Sequence, residues 1–272
     1  METKRLPSGE KIPVLGLGTW KLTGKTCAGA VKTALRLGYS HIDTAWVYGN
    51  QNEIGKALQE YGADRKKLFI TSKVWQEHLH FADALNSIDE TLSQLQTDYV
   101  DLLLVHWPNR SVPMEETFRA FKKIVDDGKA KSVGVSNFTE RHLREAISVS
   151  EVPVSVNQVE FHPRLFQESL LGFCNENKIA LTAYSPVGRG TLSNEPTLKK
   201  IGEAHSASVA QVSLAWLMSK GIVVIPKASS ETHLKENLEA VSLKLSKQEL
   251  SGIDSLGSGH RLVNPGFAEF NE

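Results

Sequence analysis

The stretch Y-V-D-L-L-L-V-H, residues 99–106, is a short apolar run closed by a histidine, and an amphipathic helical pattern over 113–127 follows it. Short apolar runs of this kind are expected where a parallel sheet is covered by helices on both faces. The same strand-then-helix unit recurs along the chain. V-L-G-L-G (14–18) precedes a helical pattern over 25–37, H-I-D-T (41–44) one over 51–60, and L-F-I-T-S-K-V (68–74) one over 81–96. S-V-G-V-S-N (132–137) leads into 139–148, and V-S-V-N-Q-V-E (154–160) into 167–177. A-L-T-A-Y-S (180–185) leads into the pair 197–204 and 208–219, and I-V-V-I-P-K (222–227) into 231–240. Eight such units in about 230 residues predict an α/β fold, a (β/α)8 TIM barrel, whose usual size is roughly 250 residues. A doubly wound sheet is the alternative. The leading K-R-L-P-S-G-E-K-I reads as an N-terminal β-hairpin and the residues after about 255 as an irregular C-terminal tail, so that 1–272 form a single domain.

Seven of the eight strands end in polar residues. Asp43 ends the second, Lys73 the third and His106 the fourth; Ser136 and Asn137 end the fifth, Gln158 and Glu160 the sixth. Tyr184 and Ser185 end the seventh and Lys227 the eighth. In a barrel all these positions lie on the carboxyl-terminal face, where catalytic residues sit. One polar strand end is an ordinary meeting with solvent; seven at the same end suggest a site.

Asp43, Tyr48, Lys73 and His106 form a chemically coherent group. Asp43 paired with Lys73 would keep the ammonium charged, and the ammonium would favour tyrosinate, lowering the Tyr48 pKa from the usual value of about 10. Such a tyrosine can act as a general acid, with His106 orienting a substrate oxygen. Taken singly, Asp43 as a turn former, Tyr48 as a rim aromatic, Lys73 as a surface lysine and His106 as a structural histidine are equally ordinary readings.

Composition narrows the function classes. Of 272 residues 40% are hydrophobic and 23% charged, an ordinary globular balance. Lysine plus arginine and aspartate plus glutamate number 31 each, which gives no electrostatic footprint for nucleic acid or an anionic membrane. The two cysteines, Cys27 and Cys174, are far apart and lack zinc-type spacing, as expected in a reducing cytosol. The N-terminal M-E-T-K-R-L-P-S-G-E-K has no apolar core and no run approaches membrane-spanning length, so a cytoplasmic location is expected.

Across essentially its whole length the sequence resembles the aldo-keto reductases, and within them the microbial diketogluconate-reductase-like members. G-L-G-T-W (16–20), D-T-A-W-V-Y-G-N-Q-N-E-I-G (43–55), T-S-K-V-W (71–75) and D-L-L-L-V-H-W-P (101–108) carry the resemblance. So do G-V-S-N-F (134–138), N-Q-V-E-F-H-P (157–163), A-Y-S-P-V-G-R-G (183–190) and I-P-K-A-S (225–229). The resemblance implies a barrel that binds a nicotinamide dinucleotide and reduces carbonyls, with Asp43, Tyr48, Lys73 and His106 as the catalytic tetrad and Tyr48 as proton donor.

It also implies a cofactor site that begins at Gly18, Thr19, Trp20 and Asp43. Ser136, Asn137 and Gln158 would bond the carboxamide, Tyr184 would stack on the nicotinamide, and Ser185 and Val187 would face the pyrophosphate. Arg189 stands where many members have a smaller polar residue. Lys227, Ala228, Ser229, Ser230, His233, Glu236 and Asn237 match the adenosine-2′-phosphate end. There His233 replaces a usual arginine, and histidine supplies neither the planar fork nor the permanent charge. NADP(H) is therefore expected as cofactor with a weakened preference, NAD(H) being usable as well. Trp20, Trp46, Val47, Tyr48, Trp75, His106 and Trp107 would line an apolar substrate mouth, with Leu262, Val263, Asn264 and Phe267 of the tail as another wall. Small aldehydes, ketones or sugar-derived carbonyls are the implied substrates, and a monomer or weak dimer the implied state.

Other patterns carry less. G-K-T (24–26) after Gly18 has the wrong spacing for a phosphate loop, G-L-G (16–18) lacks a third glycine, and His78 and His80 have no ligand pattern beside them, so no metal is expected. Two rival functions remain at this point: a lyase using Lys73 as a Schiff base, and a cofactor-loaded binding module without turnover.

Overall fold

The computed structural model describes residues 2–257 and 259–270. An antiparallel hairpin, β1 (Thr3–Arg5) and β2 (Lys11–Pro13), precedes an eight-stranded parallel sheet. Its strands are β3 (Leu17–Gly18), β4 (His41–Asp43), β5 (Phe69–Val74), β6 (Leu102–Val105), β7 (Val133–Ser136), β8 (Val154–Glu160), β9 (Ala180–Tyr184) and β10 (Val223–Val224), paired in chain order. Between them run α1 (Gly24–Arg36), α2 (Gln51–Tyr61), α3 (Phe81–Leu95), α4 (Met114–Asp126), α5 (Glu140–Val149), α6 (Glu168–Glu176), α7 (Pro196–His205) and α8 (Val209–Ser219). Two more helices, α9 (Glu231–Glu239) and α10 (Lys247–Asp254), follow the last strand. The TIM-barrel expectation holds. Helix α10 was not expected from the sequence, although Ser246 and Glu249 form a capping box at its start.

The ends of the sheet meet where the first and last strands are shortest. The Gly16 amide donates to the Val224 carbonyl at 2.9 Å, the Val224 amide to Val14 at 2.9 Å, and the Gly18 amide to Pro226 at 3.2 Å. Isolated parallel bridges join Leu15 to Val224 and Gly18 to Lys227. These contacts curl the sheet closed and remove its open edges. Gly18 is required at this seam: a Cβ there would lie 2.5 Å from the Ile225 carbonyl oxygen.

Side chains on each strand alternate between two cores, as the period of 2 demands. Leu103 and Val105 of β6 join the large core under the helices, whereas Leu102 and Leu104 join a smaller cluster with Phe69, Val156, Ala180 and Val223. Leu6 and Ile12 of the hairpin belong to that smaller cluster and plug the amino-terminal end of the barrel. Continuing the same alternation toward the carboxyl end replaces Phe69 by Lys73, Leu104 by His106 and Ala180 by Tyr184. One face of β5, β6 and β9 thus changes from apolar filling to polar chemistry within a few residues.

Gly18→Ala is expected to force the seam apart at a cost of about 1–3 kcal/mol, the usual range for overpacking a tight interior. A chemical-denaturation midpoint equal to that of the parent protein would contradict this account of closure.

Candidate active site

The strand register brings the polar ends together. Asp43 ends β4 beside Thr71 of β5, two residues short of Lys73, and Ser136 of β7 lies beside Gln158 of β8. Lys73 is fully buried, and its Nζ donates to Asp43 Oδ1 at 2.6 Å, to the Thr44 carbonyl at 2.7 Å and, more weakly, to the Tyr48 hydroxyl at 3.5 Å. Three acceptors match the three hydrogens of an ammonium. The second Asp43 oxygen accepts from Gln158 Nε2 at 2.7 Å, so both partners of the ion pair have further bonds.

Tyr48 follows on a short 3-10 turn, Trp46–Tyr48. Asn50, fully buried, fastens this loop: its Nδ2 donates to the Thr19 and Leu22 carbonyls, each at 2.9 Å, and its Oδ1 accepts from Thr44 Oγ1 at 2.8 Å. The sequence reading assigned Asn50 no role; a buried amide with partners on two other segments cannot be recognised from local pattern. The Tyr48 ring meets the His106 ring edge-on at 5.7 Å, and the Trp75 ring also meets His106 edge-on at 5.3 Å.

The electrostatics correct one expectation. Burial, helped by the Asp43 carboxylate, raises the Tyr48 pKa well above its ordinary value instead of lowering it. Burial likewise lowers the Lys73 pKa, against the pull of Asp43. His106 is driven well below its ordinary value by burial and by the Lys73 charge. It is therefore a neutral imidazole whose buried Nδ1 has no partner among the described residues. Leaving a lone pair unpaired costs less than stranding an N–H, which assigns the hydrogen to Nε2.

Above this group opens a cavity of about 630 Å³. Of the expected residues it is lined by Gly18, Thr19, Trp20, Asp43, Val47, Tyr48, Trp75, His106, Trp107, Ser136, Asn137, Gln158, Tyr184, Ser185, Val187, Arg189, Lys227, Val263 and Phe267. Lys21, Pro186, Gly190, Ile225 and Pro265 also line it, without having been singled out in the sequence. Lys73 lies beneath its floor. Trp46 is turned away from it: the indole N–H donates to Glu90 Oε2 at 2.7 Å and the ring packs against His78, so Trp46 does not form the expected wall.

The cavity fits a nicotinamide dinucleotide in the chemistry of its donors. At the inner end Tyr184 donates to Asn137 Oδ1 at 2.8 Å, Asn137 Nδ2 to the His106 carbonyl at 3.0 Å, and Ser136 Oγ to the Gln158 carbonyl at 2.8 Å. Gln158 Nε2 gives one hydrogen to Asp43, which leaves its second hydrogen and Oε1 for a ligand amide. Three cations, Lys21, Arg189 and Lys227, also border the space. The Arg189 guanidinium lies 4.5 Å from the centroid of the Trp20 ring, a cation–π contact that gives this residue a defined place. Beyond Lys227, Ser229, Ser230 and His233 are exposed around the start of α9, where Ser230 caps the helix, while Ala228 and Asn237 are buried; Glu236 is partly exposed. None of these six, nor Leu262 or Asn264, lines the cavity itself.

Lys73→Met should destabilise the fold by about 3–5 kcal/mol by leaving Asp43 buried without its cation. Asp43→Asn together with Lys73→Met should cost less than the sum of the single changes; strict additivity in thermal unfolding would show that the two do not act as a pair.

Comparison with known proteins agrees with this geometry. The profile of the Aldo/keto reductase family matches residues 14–258. The chain is similar to glyoxal reductase of Bacillus subtilis (strain 168), with 40% identity over 96% of this chain and 95% of that protein. Among solved structures it is similar to a putative 2,5-diketo-D-gluconic acid reductase B, with TM-score 0.95, 37% identity and coverage of 98% and 96%. It is also similar to an aldo-keto reductase complexed with NADPH, with TM-score 0.92, 33% identity and coverage of 97% and 90%. The chain belongs to the aldo/keto reductase family and is an NAD(P)H-dependent oxidoreductase.

Proposed function

We propose that the protein reduces aldehydes and ketones to alcohols with NADPH, accepts NADH as a poorer donor, and uses Tyr48 to protonate the nascent alkoxide. The observation that carries this reading is the Tyr48 hydroxyl at the cavity floor, 3.5 Å from a buried ammonium and beside a neutral imidazole. A carbonyl oxygen resting there accepts hydrogen bonds from the Tyr48 hydroxyl and from His106 Nε2. When bound along the cavity, the dinucleotide supplies the hydride that reaches the carbonyl carbon. The raised pKa of Tyr48 keeps its proton in place until negative charge develops on the substrate oxygen. As the proton leaves, the Lys73 ammonium stabilises the phenolate, and Asp43 holds Lys73 in that protonation state. Ser136, Asn137, Gln158 and Tyr184 hold the nicotinamide end, Gly18, Thr19, Trp20, Ser185, Val187 and Arg189 the middle. Lys227, with Ala228, Ser229, Ser230, His233, Glu236 and Asn237, holds the adenosine 2′-phosphate end.

The lyase reading loses its support, because the Lys73 amine is fully buried, engaged with three acceptors, and outside the cavity lining. Small aldehydes, ketones and sugar-derived carbonyls suit an apolar mouth formed by Trp20, Val47, Trp75 and Trp107 around two polar hydrogens. The glyoxal reductase relative makes glyoxal a natural first substrate.

Tyr48→Phe should lower kcat for glyoxal or methylglyoxal by about 10²–10⁴-fold, the range of a lost general acid, while NADPH binding followed by fluorescence stays intact. Full turnover in that variant would remove Tyr48 as the donor. His233→Arg should raise the preference for NADPH over NADH by about tenfold, through a charged fork on the 2′-phosphate. Equal gains for both cofactors would sink that assignment of His233.

A further inference from the structure

Glu160, the last residue of β8, is a carboxylate with no solvent exposure. Burying such a group is costly unless its oxygens are fully bonded. Oε1 accepts from His162 Nε2 at 3.0 Å and from the Leu262 amide at 2.8 Å; Oε2 accepts from the Val263 amide at 2.8 Å. Two of the three donors are therefore backbone amides of the C-terminal tail, more than one hundred residues away in the chain. Burial pulls the Glu160 pKa up, but the bonds from His162, Leu262 and Val263 outweigh it and hold the carboxyl below its ordinary value.

Neighbouring contacts fasten the same turn of tail. The Glu160 carbonyl accepts from Gln167 Nε2 at 2.7 Å, Gln167 Oε1 accepts from Arg261 Nη2 at 3.1 Å, and the His260 amide donates to Arg164 at 3.2 Å. From this root the tail crosses the cavity, lining it with Val263, Pro265 and Phe267. The Phe267 ring meets Trp107 at 5.3 Å and Trp75 at 5.9 Å, both edge-on. At the far end Glu269 accepts from Arg110 Nε at 2.7 Å and pairs with His142 Nε2 at 2.9 Å. Among the described residues the tail after Asp254 has no helix or strand, so these side-chain anchors decide where Phe267 stands.

We propose that Glu160 is a positioning residue: by gripping the Leu262 and Val263 amides it holds the Phe267 wall over the site and sets affinity for carbonyl substrates large enough to reach that wall. The proposal rests on the carbonyl-reductase reading above. Glu160 does not line the cavity, so it acts through the tail and not on the reacting atoms.

Glu160→Gln keeps the shape but turns a donor toward one of the two amides. Leu262→Pro removes one amide from the tail side and leaves every barrel strand intact. Each variant should raise KM for 4-nitrobenzaldehyde about tenfold, the scale of one hydrogen bond to a charged acceptor, and leave KM for glyoxal, kcat and NADPH affinity within about twofold. In both, the Val263 amide should exchange with deuterium about tenfold faster. In a Phe267→Ala background Glu160→Gln should add nothing further to KM for the aromatic aldehyde.

Unchanged KM and unchanged amide exchange would overturn the proposal, as would an equal loss for glyoxal and 4-nitrobenzaldehyde. Should Glu160→Gln fail to fold, Leu262→Pro decides alone. If the parent protein reduced neither substrate, the functional reading would fall, and the exchange of Val263 would still decide whether Glu160 holds the tail.

Discussion

The ion pair between Asp43 and Lys73 constrains everything around it. A buried ammonium and carboxylate are each costly to remove from water, and their attraction compensates only when the remaining hydrogens and lone pairs are bonded. Here the Thr44 carbonyl, the Tyr48 hydroxyl and the Gln158 amide complete those bonds. Three strands, β4, β5 and β8, must therefore hold their relative positions closely, because a one-residue slip would turn Asp43 or Lys73 out of the barrel. The curled sheet, its tight seam at Gly18 and the apolar plug of Leu6 and Ile12 supply that rigidity from below.

The same burial that makes the pair costly gives it chemical use. In a water-poor floor the Lys73 charge adds to the burial that already disfavours a charged His106. Burial first and the Lys73 charge second keep His106 neutral, so that in the proposed mechanism its imidazole donates one hydrogen bond without competing as an acid. For Tyr48 the burial and Asp43 win while the residue is a neutral phenol. In the proposed mechanism a hydroxyl that resists ionisation in the resting site serves as a reservoir of one proton, released only to a stronger base than itself. A freshly formed alkoxide is such a base.

Much of the floor was legible from the chain because strand chemistry repeats with a period of 2. Asp43, Lys73, His106, Ser136, Gln158 and Tyr184 stand at strand ends, and counting back along each strand gives the apolar filling below them. What could not be read was anything set by depth or by distant partners. The direction of the Tyr48 shift depends on the burial of its ring and on Asp43, and the loop that carries it is fastened by Asn50 to segments elsewhere in the chain. Trp46 is adjacent to the site in sequence, yet Glu90 and His78 on the α3 side capture its ring. The seam strands β3 and β10 are shorter than their apolar runs because Gly16, Gly18 and Pro226 pair irregularly there. Helix α10 escaped notice because its capping box lies beyond the last strand, outside the repeat that organised the rest.

The floor and the wall of the site are built by different means. Floor residues are held by strands whose neighbours are bonded along their length, so each position is determined many times over. Among the described residues the tail wall has no helix or strand between Asp254 and Glu269, and is held by a few polar anchors together with the ring contacts of Phe267 and Phe270. Free energy spread over so few bonds can be altered in one place without disturbing the sheet. On the proposed mechanism, hydride transfer and proton delivery depend on the barrel, whereas the size and shape of carbonyl admitted depend on contacts such as those of Glu160 and Phe267. A chain arranged in this way can keep one reaction while its substrate range shifts with the tail.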